Sequence, residues 1–252
     1  MASISAVIIT LNEEANIRRS LESVRWADEI IVVDSGSTDR TVQICREHGC
    51  RVFEHEWAGD GPQKNYGIEQ ATGDWILILD ADEEVTPELA SEIRTAVESP
   101  DAPDAFSMPR RNRFLGRWMR HGGWYPDRQA RLFRRGRGRW TSPTLHSRLD
   151  LATDGRLGTL RNDFLHYTYP SVREFIRKSD FYSTKEADAI LAENRIPRSM
   201  VFTLLTAFPI KFAETYIYKG GWRDGMHGFV ASVLMATRVF MRYAKVWQSR
   251  NG

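Results

Sequence analysis

The 252-residue chain is 42% hydrophobic and 27% charged, long enough to bury a real core and too apolar to be disordered. Its formal net charge of +2 conceals segregation: residues 1–100 carry 8 Lys/Arg against 20 Asp/Glu, residues 110–140 carry 11 Arg against Asp127 alone, and residues 171–252 carry 13 basic against 7 acidic groups. Cys45 and Cys50 lack metal-ligand spacing and a second pair, so they read as reduced thiols rather than a zinc or disulfide framework.

Met1-Ala2-Ser3-Ile4-Ser5 has no basic segment ahead of an apolar stretch, so no signal peptide is expected, and no uninterrupted apolar run reaches the roughly 18 residues of a spanning helix. Ile4 to Leu11 reads as a strand. Asn12-Glu13-Glu14 then opens a helix with Ile17, Leu21 and Val24 on one face. Ile30 to Val33 is continuous and β-branched, as in a strand buried on both faces of a parallel sheet. In Asp34-Ser35-Gly36-Ser37-Thr38-Asp39, Ser37 or Thr38 is expected to cap a helix that turns Val42 and Cys45 inward. A short strand at Arg51–Phe53 and a helix from Lys64 to Ala71 follow. Trp75 to Leu79 is a buried strand running into Asp80-Ala81-Asp82-Glu83-Glu84, and Thr86-Pro87-Glu88 caps the next helix.

This alternation predicts an α/β domain with a largely parallel sheet, whose ligands sit outside the carboxyl ends of the strands. Asn12-Glu13, Asp34-Ser35-Gly36 and Asp80-Ala81-Asp82 all fall there and are expected to share one crevice. Two carboxylates one residue apart favour a divalent cation, and a cation held by few protein ligands keeps positions for phosphate oxygens. Short strands are expected at Ala105–Pro109, Leu132–Arg134, Leu145–Leu149 and Phe164–Tyr167, and helices after Pro170. The expected organisation is a domain over residues 1–170 and a helical C-terminal region over 171–252.

Several stretches together resemble the family 2 glycosyltransferases of GT-A fold, and more closely their lipopolysaccharide core β-1,4-glucosyltransferase subgroup. They are Val7 to Glu14, Trp26 to Asp39, Gly61-Pro62-Gln63-Lys64-Asn65-Tyr66, Ala71 to Trp75, Trp75 to Glu84, Phe114 to Trp118, His121 to Asp127, Arg131 to Arg135 and Leu165-His166-Tyr167. The resemblance implies inverting transfer of a hexose, glucose foremost, from a UDP-sugar to a lipopolysaccharide inner-core hydroxyl, with Mg²⁺ or Mn²⁺. Another lipid-linked or polysaccharide acceptor is the alternative. It implies nucleoside contacts at Glu13 and Asp34 and maps the D-x-D metal motif onto Asp80 and Asp82; Thr10, Asn12, Ser35, Gly36, Lys64 and Asp80 are the further candidates for donor contact, and His166, near a predicted strand end, is a candidate third metal ligand. It also implies a cytoplasmic location, peripheral on the cytoplasmic face of the inner membrane.

Asp34 is an acceptor-only group suited to the uracil imide N–H. Asp127, alone among arginines and beside Trp124 and Tyr125, is the expected base, its pKa lowered by those arginines. Glu83 and Glu84 are the fallback bases. His146 is a second candidate metal or acceptor contact, followed by Ser147 where the subgroup usually has an acid. Arg110, Arg111, Arg113, Arg117 and Arg120 are expected to meet acceptor phosphates or a solvated surface. Basic residues interleaved with Trp118, Trp124 and Trp140 also fit a nucleic-acid-binding protein, but no nucleic-acid motif accompanies them, so no nucleic-acid partner is expected. From Phe229 to Trp247, Phe229, Val233, Ala236, Phe240, Tyr243 and Trp247 share one helical face opposite Arg238, Arg242 and Lys245, which predicts an interfacial helix on an anionic membrane.

Overall fold

A computed structural model describes residues 1–141 and 147–251. The first strand, β1 (Ile4–Thr10), is buried along its whole length and pairs in parallel with β2 (Glu29–Asp34) and β4 (Trp75–Asp80). Between them come α1 (Ile17–Ser23), α2 (Thr41–Glu47), β3 (Arg51–Glu54) and α3 (Asp60–Gln70). Next come β5 (Glu83–Val85), α4 (Pro87–Val97), β6 (Ala105–Phe114), β7 (Arg117–Trp118) and β8 (Asp127–Arg134). Then follow β9 (Gly138–Trp140), β10 (Leu149–Leu151), β11 (Leu157–Thr159), β12 (Phe164–Tyr169) and the helices α5 (Val172–Ala192), α6 (Met200–Phe212) and α7 (Gly225–Asn251).

The fold is mixed α/β, as expected. The main sheet runs β3-β2-β1-β4-β8-β6-β12-β5, with β7 and β11 both paired to β6. The β3-β2-β1-β4 half is parallel; β8 pairs with β4, and β12 with β5, in antiparallel fashion. β6 and β8 are each longer than the sequence predicts.

Two apolar layers hold the parallel strands. Ile4, Ile8, Leu77 and Leu79 face α1 and α4 residues such as Ile17, Leu21, Leu89 and Ile93, while Val7, Val33, Ile76 and Ile78 face the other way. Full burial of each such side chain stabilises by roughly 1.5–3 kcal/mol. On the second face α3 comes close enough that a Cβ at Gly67 would lie 2.4 Å from Val7 Cγ1.

Two helix starts depart from expectation. α1 begins at Ile17, not at Asn12, because residues 12–14 bond to the loop after β2. α2 has no side-chain cap from Ser37 or Thr38; Asp39 Oδ1 instead accepts the Thr41 N–H at 2.9 Å. Ile44 and Cys45 turn inward, and Val42 is only half-buried. Thr86 and Ser171 do cap α4 and α5. Burial pushes the Cys45 thiol up to about 12 and that of Cys50 to about 11, and both are free thiols.

The chain forms two compact units: Met1–Arg110 with Arg128–His166, and Arg111–Asp127 with the chain from Tyr167 onward. Residues 111–127, grouped on sequence with the first domain, belong to the helical unit. Its core joins Phe114, Met119, Tyr169, Phe175 and Ala231.

Candidate active site

The register of the parallel strands builds the site. Thr10 pairs with Asp34 and Ile9 with Asp80, so the carboxyl ends of β1, β2 and β4 lie side by side. The loops beyond β1 and β2 are bonded to each other. Asn12, in the left-handed region at φ 54°, donates its N–H to Ser37 Oγ at 2.8 Å and accepts the Thr38 N–H at 2.8 Å through Oδ1. Asparagine tolerates that conformation better than most residues. The Glu13 N–H donates to Thr41 Oγ1, and Glu13 Oε2 accepts from Asn16 Nδ2.

Asp34 is buried. Its Oδ2 accepts the Gly36 and Ser37 N–H groups at 2.9 and 2.8 Å, and its Oδ1 accepts the Ser37 hydroxyl. Gly36, at φ 93°, supplies the left-handed step of this turn. Ser35 donates its N–H to the Thr10 carbonyl and accepts from Gln63 Nε2 at 2.8 Å. Gln63 also meets His55, whose ring stacks on Tyr66 with centroids 4.1 Å apart. Thr10 Oγ1 is buried with no hydrogen-bond partner among the described residues.

At the end of β4 lies a charge cluster. Lys64 Nζ stands 3.0 Å from Asp60 Oδ2, 3.1 Å from Asp80 Oδ1 and 4.4 Å from the Trp140 ring centroid. Arg131 Nη2 donates to Asp80 Oδ2 at 2.8 Å and to Glu83 Oε1 at 2.7 Å. Glu83 also accepts from Arg110 Nη1 and, through Oε2, from the Asp80 N–H. Burial opposes ionisation of Asp80, but the Arg131 and Lys64 cations outweigh it and hold the carboxyl well below its ordinary pKa. Burial likewise opposes the charge on Arg131, and Asp80 and Glu83 overcome it, raising its pKa. Nε and Nη1 of Arg131 have no partner among the described residues.

The expected metal set divides. Pairing of β12 with β5 sets His166 opposite Glu83, and His166 Nε2 stands 3.4 Å from Asp82 Oδ2. Asp80 turns instead to Lys64 and Arg131, and no group of three metal-ligating side chains occurs among the described residues. Asp82 presents a carboxylate donor that suits Mn²⁺ or Mg²⁺, with further oxygen ligands from elsewhere, and the His166 imidazole beside it fits Mn²⁺ better than Mg²⁺. Glu84 meets Arg19 at 3.6 Å. His146 lies outside the described residues.

The helical unit holds the remaining candidates. Asn112 Nδ2 donates to Asp127 Oδ2 at 3.0 Å and to the Trp124 carbonyl at 3.1 Å. Trp124, partly buried, packs on Phe114 and Tyr169 beside the core, and Tyr125 meets Trp118 edge-on. Arg111 and Arg120 lie over the Trp118 ring at 4.1 and 4.5 Å, and Arg113 bonds the Gly116 carbonyl, so these arginines are not simply a solvated patch. The side-chain pairing of Arg131, Gln63 and His55 was not foreseen. Gln63 and Arg131 fall in Gly61–Tyr66 and Arg131–Arg135, but nothing in the spacing of those stretches names their partners.

The family model for Glycosyl transferase family 2 matches residues 5–150. The lipopolysaccharide core biosynthesis glycosyltransferase LpsC of Rhizobium meliloti (strain 1021) is 31% identical over 97% of this chain and 92% of its own length. An uncharacterised glycosyltransferase of Rickettsia typhi is 30% identical over 98% of this chain and 87% of its own. Among solved structures, residues 1–349 of Staphylococcus aureus TarS are similar with a TM-score of 0.51 and 16% identity, covering 96% of this chain and 91% of that one, a likeness of fold alone.

Proposed function

Since the chain belongs to glycosyl transferase family 2, we propose that it moves a hexose from a UDP-sugar to a hydroxyl of a lipopolysaccharide inner-core acceptor, with inversion at the anomeric carbon. Full-length similarity to LpsC supports the acceptor class. The observation that carries the donor side is the meeting of Thr10, Asp34 and Asp80 at one sheet edge with the Asp82–His166 pair beside it.

The Asp34 turn, its carboxylate buried against the Gly36 and Ser37 N–H groups, presents a fixed, closely packed backbone to the nucleoside. Thr10 Oγ1 and Glu13 flank it as hydroxyl-binding groups. Asp82 and His166 would hold Mg²⁺ or Mn²⁺, which when bound neutralises the departing diphosphate as a Lewis acid. Lys64 and Arg131 fix Asp80 at the strand end and keep it ionised. Asp127, oriented by Asn112, takes the acceptor proton in this reading. Glu83 acts as a clamp, its Oε1 accepting from both Arg110 and Arg131.

Titration calorimetry with UDP, with and without Mn²⁺, tests the proposal. Metal-dependent binding that disappears in Asp82→Ala is expected; UDP binding indifferent to both metal and Asp82 would refute it.

A further inference from the structure

The predicted lipid-facing helix, α7, is already engaged along its basic side. Arg238 and Arg242 pair with Glu186 of α5, and Lys245 Nζ lies 2.6 Å from Asp180 Oδ1. Ala231, Ser232, Ala236 and Val246 of α7 are buried, and α7 packs against both α5 and α6. Phe229, Phe240 and Trp247 of α7 are exposed, but the denser run of exposed apolar side chains lies on α6. Val201, Phe202, Leu205, Phe208 and Ile210 are all exposed, Phe202 to 66% and Leu205 to 71%, while Ala207 alone of the helix is buried. The surface continues through Ile217, Tyr218 and Trp222, all more than half exposed. A monomeric soluble protein rarely leaves this much contiguous apolar side chain in water.

We propose that α6 and the turn after it form a membrane-docking face that lies in the plane of an anionic phospholipid surface. Charge selects that occupant. Residues 193–224 carry five basic groups, Arg195, Arg198, Lys211, Lys219 and Arg223, against Glu193, Glu214 and Asp224; Arg195 pairs with Glu193, and Lys211 and Lys219 share Glu214, which leaves Arg198 and Arg223 in excess. Asp224 is buried and accepts the Arg120 and His121 N–H groups, so the exposed margin of the apolar face is more positive than the count. Aromatic residues beside arginine and lysine are the composition of an interfacial helix.

Geometry selects the in-plane orientation. Met200–Tyr218 is long and apolar enough to cross a membrane by composition, with a mean hydropathy of 1.2. However, only its first 13 residues are α-helical, and its C-terminal half is charged at Lys211 and Glu214. The continuation, Ala213–Tyr218, is π-helical, and its Glu214 pairs with Lys211 at the end of α6 and with Lys219 just beyond it. The helix also lies packed along α7, which a spanning orientation would break. This inference does not depend on the sugar-transfer reading.

Vesicle co-sedimentation of the full chain tests it. Binding to phosphatidylglycerol/phosphatidylethanolamine vesicles is expected to exceed binding to phosphatidylcholine vesicles. F202S/L205S should lower the partition at least roughly ten-fold with unchanged circular dichroism and melting. R198Q/R223Q should lower it for anionic vesicles only. F240S/W247S, on α7, should leave it unchanged. The proposal is overturned if F202S/L205S binds like wild type, or if F240S/W247S abolishes binding. Resistance of the bound chain to alkaline carbonate extraction would show a span instead. Light scattering that finds a dimer dispersed by F202S/L205S would make the occupant a second copy.

Discussion

Arg131 Nη2 and Asp80 Oδ2 lie 2.8 Å apart, joining side chains 51 positions apart on the antiparallel strands β8 and β4. The guanidinium is buried and shared with Glu83, so two carboxylates depend on one cation, with Lys64 and Arg110 as lesser partners. Arg131→Met removes that cation and leaves both acids undercompensated. A loss of about 3 kcal/mol is expected in urea unfolding, the low end for breaking a buried pair because Lys64 and Arg110 remain. Glu83→Gln added to R131M should recover part of it.

The same pair makes stability depend on acid. Asp80 is held below its ordinary pKa, so its contribution is complete above the unfolded value near ~4 and fades as pH falls further. Unfolding measured from pH 7 to pH 2 should show stability falling on the acid side, and Asp80→Asn should flatten that limb. An unchanged limb in D80N would assign the acid loss to other carboxylates.

If Asp82 and His166 are the metal ligands, they should be separable from Asp80. Asp82→Ala and His166→Ala are each expected to weaken UDP-dependent Mn²⁺ binding at least about 100-fold, beyond the ~10–100-fold typical of outer-shell partners. Asp80→Asn should weaken it less, because Asp80 faces Lys64 and Arg131. Calorimetry on the three variants decides the order.

The base assignment makes a kinetic prediction. Asp127→Asn should lower turnover by roughly 10²–10⁴ while leaving UDP binding near wild type, and Glu84→Gln should cost far less. If Asp127→Asn turns over normally and Glu84→Gln is inactive, the base is Glu84.

Packing of α3 gives a prediction independent of chemistry. A Cβ at Gly67 would lie 2.4 Å from Val7 Cγ1 and 3.0 Å from Val33 Cγ2, both fully buried side chains. Gly67→Ala should therefore destabilise by about 1–3 kcal/mol in denaturant titration, although alanine is the better helix former.

Much of the donor half was legible in the residues themselves. Ile30 to Val33 and Trp75 to Leu79 are continuous apolar runs, and burial on both faces forces them into the middle of a parallel sheet. Parallel strands must end at one edge, so Asp34 and Asp80 had to become neighbours of Thr10. The cap of α2 was misread because Ser37, a good capping residue in isolation, bonds Asp34 instead. Asp34 itself is a turn residue as well as a site candidate, and sequence spacing does not separate those roles.

What the sequence determined by itself is therefore local: periodicity, strand ends, the caps at Thr86 and Ser171, and the segregation of charge. The tertiary structure decided which distant groups meet. It turned Asp80 to Lys64 and Arg131, brought His166 beside Asp82, paired the α7 cations with α5, and left a dense apolar face of α6 exposed. The physical reason is that hydrophobic period is set within a few residues. A buried charge, in contrast, must be answered by an opposite charge, wherever in the chain the sheet order places one.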